Sequence, residues 1–92
     1  MFKTESYLKL KKISDITNST KDIKKNSAFF AIKGSNTDGN KYINEAIEKG
    51  AKIIISNSKK ELNKINNNKI IKIFSDDIRK FYSDECSRIN NY

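Results

Sequence analysis

Residues 28–51 read AFFAIKGSNTDGNKYINEAIEKGA: a short apolar run, a loop bracketed by Gly34 and Gly39, and an amphipathic run that stops at Gly50. The run Ala28, Phe29, Phe30, Ala31, Ile32 does not alternate with polar residues, which is the pattern of a strand covered on both faces by helices in a parallel or mixed α/β sheet. Gly34 ends that strand. Asp38 is placed to cap a helix whose inward face carries Ile43, Ala46 and Ile47 at spacings of three and four, and Gly50 supplies a left-handed stop. A loop at the carboxyl end of such a strand is where open α/β sheets bind ligands.

The flanking segments extend the same plan. Residues 12–17 (KISDIT) predict a first strand, followed by the hydroxyl- and amide-rich turn Asn18, Ser19, Thr20, Lys21. Residues 24–27 form a second turn, in which Asn26 suits a positive backbone dihedral. Residues 52–56 (KIIIS) give a third, β-branched strand directly after Gly50. Residues 58–68 are a polar connection with one or two helical turns through Leu62 and Ile65, and residues 69–74 are a fourth strand. Ser75 or Asp76 then caps a last helix with Ile78, Phe81, Tyr82, Cys86 and Ile89 on one stripe, so Cys86 is expected to be a small buried hydrophobe. The predicted fold is a small mixed or mostly parallel sheet of about four strands with two main helices. It forms a single domain over residues 1–92, because 92 residues at 36% hydrophobic content allow one modest core.

Composition removes several function classes. The single cysteine, Cys86, allows no disulfide framework or cysteine zinc site within the chain, and the absence of histidine removes the commonest metal ligand and general base. No run approaches the length of a membrane span and the N-terminus lacks the apolar stretch of a secretory signal, so no membrane partner and a cytoplasmic location are expected. A net charge of +8 invites a nucleic-acid reading. The distribution opposes it, because lysines are scattered over every segment, only Arg79 and Arg88 carry forked guanidinium groups, and aromatics do not alternate with basic residues. Solvated surface charge is the simpler reading, with a small basic nucleic-acid module as the alternative from another class.

Gly34 and Gly39 also fit the first part of the phosphate-loop pattern GxxxxGK[ST], but its chemistry is missing. Asn40 stands where the lysine belongs, Lys41 comes one residue late and so is rotated by about 100° around a helix, and Tyr42 cannot replace the magnesium-binding hydroxyl. Asp38 would add negative charge beside the phosphates. No ATP site, catalytic residue or metal site is assigned in this chain.

In order and spacing, the segments resemble the N-terminal domain of the muramyl ligases. The family pattern runs I-T-x-D-S-R, then L-F-x-A-x-x-G, then D-G-H-x-F-I, then A-I-x-x-G-A. It appears here as residues 16–21, 29–34 and 38–43, and as Ala46, Ile47, Gly50 and Ala51. Residues 13–56 carry the likeness most closely, and residues 77–92 are similar to the helix that precedes the ATP-binding domain of these ligases. Departures are Ser19 for aspartate, Thr20 for serine, Lys21 for arginine, Asn26 for glycine and Asn40 for histidine.

The resemblance implies a domain that holds the UDP end of a UDP-N-acetylmuramoyl-peptide, while separate central and C-terminal domains carry out ATP- and magnesium-dependent amide-bond formation. Carried over position by position, the UDP contacts are Asn18, Thr20, Ser35, Asn36 and Thr37, supported by Lys21, Gly34, Asp38 and Gly39. Within the family the likeness points to the ligase that adds the third stem residue, diaminopimelate or lysine, to UDP-N-acetylmuramoyl-L-alanyl-D-glutamate. The sister ligase adding D-alanyl-D-alanine shares much of the pattern. The expected partners are thus the UDP-muramyl-peptide and the other ligase domains, with no catalysis by this domain alone. The residue types suit such contacts, since Thr20 offers a short hydroxyl donor, Lys21 a cation, and the Asn36 amide a donor and acceptor for a pyrimidine edge.

Overall fold

The computed structural model describes residues 2–33 and 38–90. Four strands, β1 (Ile16–Thr17), β2 (Ala28–Ala31), β3 (Ile53–Ser56) and β4 (Ile71–Phe74), form one sheet in the order β1-β2-β3-β4, and every pair is parallel. In register, Ile16 pairs with Ala28, Phe29 with Ile54, and Ile55 with Ile73. The helices are α1 (Ser6–Leu10), α2 (Ile43–Glu48), α3 (Lys59–Asn63) and α4 (Ile78–Asn90), with 3₁₀ turns at Thr20–Asp22 and Gly39–Tyr42.

The unbroken apolar runs of β2 and β3 are explained by two cores, one on each face of the sheet. Phe29, Ala31 and Ile54 point to one side, where Ile43 and Ala46 of α2 and Leu62 of α3 cover them. Ala28, Phe30, Ile53 and Ile55 point to the other, beneath Leu8 of α1 and Ile78 and Phe81 of α4. Phe30 meets Phe81 and Tyr82 edge-on at 5.3 and 4.9 Å between ring centroids, a geometry that adds to the area each ring buries. Strands sandwiched in this way have no solvent face, and alternation is absent because nothing selects for it.

Turn chemistry holds the elements in place. Gly50, at φ 113°, ends α2, and Asn26, at φ 69°, donates its backbone N–H to the Gly50 carbonyl at 2.8 Å. Both positions were expected to leave the ordinary region. Ser58 caps α3 by accepting the Glu61 N–H at 3.2 Å.

Several expectations are corrected. β1 was expected over residues 12–17, but only Ile16 and Thr17 pair. Lys12 takes φ 55° and the Ile13 N–H donates to the Leu8 carbonyl, so residues 11–13 form the exit of α1 instead. The sequence pattern gave no sign of that helix. Nor do Ser75 or Asp76 cap α4. Asp77 does, its Oδ1 accepting the Lys80 N–H at 3.4 Å, while Ser75 is buried and donates its hydroxyl to Glu5. On α4, Cys86 is only half-buried, and the buried polar member of the stripe is Glu85, which accepts from Arg88 while Arg88 also reaches the Ile13 carbonyl at 2.7 Å. None of the helices among the described residues is long and apolar enough to cross a membrane.

Candidate functional site

The chain leaves β1 and β2 at the same end of the sheet, and the two exits enclose a cleft of about 480 Å³. One wall is the turn after β1, made of Asn18, Ser19, Thr20 and Lys21. Phe29 and Ile32 give an apolar floor, Gly39 forms the corner beyond β2, and Tyr42 and Arg79 complete the lining.

The wall is a built turn. The buried Thr17 hydroxyl donates to the Ser19 carbonyl at 3.2 Å and accepts the Ser19 N–H at 3.0 Å. Ser19 then caps the 3₁₀ turn, its Oγ accepting the Lys21 N–H at 3.2 Å. This is work that an aspartate can also do, so Ser19 keeps the cap while dropping the charge. Lys49, near the end of α2, donates to the Thr20 carbonyl at 3.1 Å and pairs with Glu45 at 3.2 Å. The Thr20 hydroxyl, and after it the Lys49 ammonium, hold the Glu45 carboxyl below its ordinary value. The turn after β1 is thereby tied to α2. Tyr82 of α4 lies behind it, and burial, followed by the neighbouring Cys86, pushes its phenol up.

The corner is built by close backbone approach. The Gly39 N–H donates to the Ile32 carbonyl at 2.9 Å, and Lys33 and Asp38 form an antiparallel bridge. A Cβ on Gly39 would lie 2.6 Å from the Ile32 nitrogen and 2.8 Å from its oxygen, so only glycine fits without moving the end of β2. Asp38 caps the following 3₁₀ turn as expected, accepting both the backbone N–H of Asn40 at 3.0 Å and its side-chain amide at 2.8 Å. Those two bonds, the backbone one first, hold the Asp38 carboxyl below its ordinary value. Asn40 in turn accepts from the fully buried Ser56 hydroxyl.

Of the residues expected to contact a ligand, the structure brings Asn18 and Thr20 to the cleft, together with supporting Lys21 and Gly39. Asp38 braces the corner from behind. Gly34, Ser35, Asn36 and Thr37 lie outside the described residues. Tyr42 and Arg79 were missed as cleft residues. Tyr42 reads from sequence as one more helix position. Arg79 carried a signal: it is a cation in the first turn of a helix, the end whose dipole disfavours positive charge. Among the described lining residues, Lys21 and Arg79 are the charged ones and no carboxylate joins them, so the charge they bring to the cleft is positive.

An open parallel sheet with a cleft at its strand ends has the layout in which α/β domains bind ligands. The model of the Mur ligase family, catalytic domain, matches residues 12–89, and the chain belongs to that family. It is 56% identical over 43 residues to the UDP-N-acetylmuramoyl-L-alanyl-D-glutamate--2,6-diaminopimelate ligase of Clostridium tetani, an alignment covering 47% of this chain and 9% of that protein. The enzyme of the same name from Rickettsia prowazekii is 39% identical over 70 residues, covering 75% of this chain and 13% of the relative. Among solved structures, the MurF ligase of Thermotoga maritima in complex with ADP superposes with a TM-score of 0.56 at 27% identity, covering 79% of this chain and 17% of that one. The chain spans about a tenth of the length of the curated relatives it matches.

Proposed function

We propose that this chain is the UDP-binding domain of a peptidoglycan-precursor ligase, the one that adds diaminopimelate or lysine to UDP-N-acetylmuramoyl-L-alanyl-D-glutamate. One observation carries the reading: the hydroxyl turn after β1 and the glycine corner after β2 line one cleft, which holds Lys21 and Arg79 and no carboxylate among its described lining residues. A nucleoside diphosphate needs such a site, with cations for the phosphates, short hydroxyl and amide donors for the ribose and base, and an apolar floor. Asn18 and Thr20 are the proposed contacts from the first turn, and Ser35, Asn36 and Thr37 those from the segment leading to Asp38. The name shared by relatives at 39–56% identity supports the third-residue ligase over the sister enzyme adding D-alanyl-D-alanine.

In this reading the ATP- and magnesium-dependent formation of the acyl phosphate, and attack on it by the incoming amine, belong to other domains of the ligase. Residues 34–42 lack the lysine and hydroxyl of a phosphate loop. The working partners are the UDP-muramyl-peptide and those domains, in the cytoplasm.

Isothermal titration calorimetry tests the proposal, with folding checked by circular dichroism. UDP and UDP-N-acetylmuramoyl-L-alanyl-D-glutamate are expected to bind saturably, and ATP with magnesium is not. A folded chain that takes up neither uridine compound overturns the assignment. Oligonucleotide binding that weakens steeply with salt would support the basic-module alternative in its place.

A further inference from the structure

Arg79 occupies a position that helix stability does not explain. It lies in the first turn of α4 beside Lys80, and two cations there oppose the helix dipole. Lys80 is compensated by Asp84, one turn on, at 2.8 Å. Arg79 makes no ion pair among the described residues. Its Nη2 instead donates to the Lys33 carbonyl at 2.7 Å, across 46 positions of sequence, and the side chain lines the cleft. A single bond to a carbonyl uses one of the five N–H donors of a guanidinium.

We infer that Arg79 reads the diphosphate of the bound nucleotide, one Nη2–H anchoring the end of β2 at Lys33 while the remaining donors serve the phosphate oxygens. The inference rests on the nucleotide reading above and deepens it by assigning phosphate recognition to α4. A bond to one carbonyl requires only one donor, which lysine also provides. The fork gains its advantage only where two anionic oxygens are met together. Lys21, on the wall after β1, is the second cation, but it is a point charge on a flexible stem and cannot supply that geometry. Anchoring to Lys33 restricts the Arg79 side chain before the ligand arrives, which lowers the ordering cost of binding.

The test is calorimetry of the wild-type chain, Arg79→Ala and Arg79→Lys against UDP, UMP and uridine. Each variant serves as its own control, because partial unfolding lowers all three affinities together. Arg79→Ala is expected to weaken UDP about tenfold or more while changing uridine less than about twofold, with Arg79→Lys intermediate for UDP. Equal loss for UDP and uridine, or unchanged UDP affinity, overturns the role of Arg79 and leaves the nucleotide site standing. A folded wild-type chain that binds neither UDP nor uridine overturns the site, and this inference with it.

Discussion

The Ser56 hydroxyl donates to the side-chain oxygen of Asn40 across 2.6 Å, joining the end of β3 to the corner that follows β2. Both ends of this bond are occupied further: Asn40 donates its amide to Asp38, and Ser56 accepts the Ser58 N–H at 3.0 Å. A chain of four polar residues therefore runs along the carboxyl edge of the sheet and ends at the cap of α3. Ser56 is fully buried, so a break in this chain would leave a polar group without water to replace the lost partner.

Asn40→Ala removes the acceptor of a buried hydroxyl and is expected to cost about 1–3 kcal/mol. Adding Ser56→Ala should cost less than the sum of the single changes, since the hydroxyl left unsatisfied in the first variant is gone in the second. Urea unfolding midpoints of the four proteins measure this. Strictly additive losses would show that the two side chains do not act as a pair.

Gly39→Ala places a methyl group within 3 Å of the Ile32 backbone, where no flexible side chain can yield. The end of β2 or the corner must move, at an expected cost of about 1–3 kcal/mol. Since the corner is part of the cleft, UDP affinity should fall more than stability alone explains. Gly50→Ala is the control: at φ 113° it is strained, but it lies away from the cleft lining and should lower stability without a separate effect on binding. Equal binding by Gly39→Ala and Gly50→Ala, compared under conditions where both are folded, would count against the corner as part of the site.

The parts of the fold legible in the sequence are those whose signal is local. β2, α2 and β3 follow from an apolar run, a cap at Asp38, a stop at Gly50 and a β-branched run, each acting within a few residues. α1 escapes such a reading because its anchor is one residue, Leu8, in a lysine-rich segment, and the helix exists only because Leu8 fills space under Phe30 and Ile55. Its exit through Lys12 also shortens β1. Glu85 looks like surface charge in sequence and is buried because Arg88 partners it. The site divides in the same way. Asn18, Thr20, Lys21 and Gly39 are legible from turn chemistry and family resemblance, whereas Arg79 joins them only through its distant bond to the Lys33 carbonyl.

The Thr20 carbonyl accepts from Lys49, and the Thr20 hydroxyl helps hold the Glu45 carboxyl in its ionised form. Thr20→Ala is expected to weaken UDP about tenfold, as loss of a hydrogen bond to a charged group does, and Thr20→Ser to retain most of the affinity. Glu45→Ala separates ligand contact from support of the turn. If the hydroxyl serves the ligand, removing the neighbouring carboxylate leaves the hydroxyl free to do so, and UDP affinity holds or rises. A loss matching that of Thr20→Ala would assign Thr20 to the turn alone.

The Asp38 carboxyl is held below its ordinary value of 3.8 by the bonds from Asn40, so the folded chain favours its ionised form. A carboxyl lowered on folding contributes stability that is complete above the unfolded pKa, near 4, and disappears as pH falls through the lower folded value. The site is exposed enough for solvent to screen the effect, which keeps it small. Asp38→Asn preserves an acceptor at the cap but does not titrate. The stability gap between wild type and Asp38→Asn should therefore be constant above about pH 5 and shrink toward pH 3, with Asp38→Ala about 1 kcal/mol less stable than wild type at neutral pH. Urea unfolding across this pH range reads the gap directly, and a gap that widens as pH falls would mean that the ionised carboxylate is not what holds the corner.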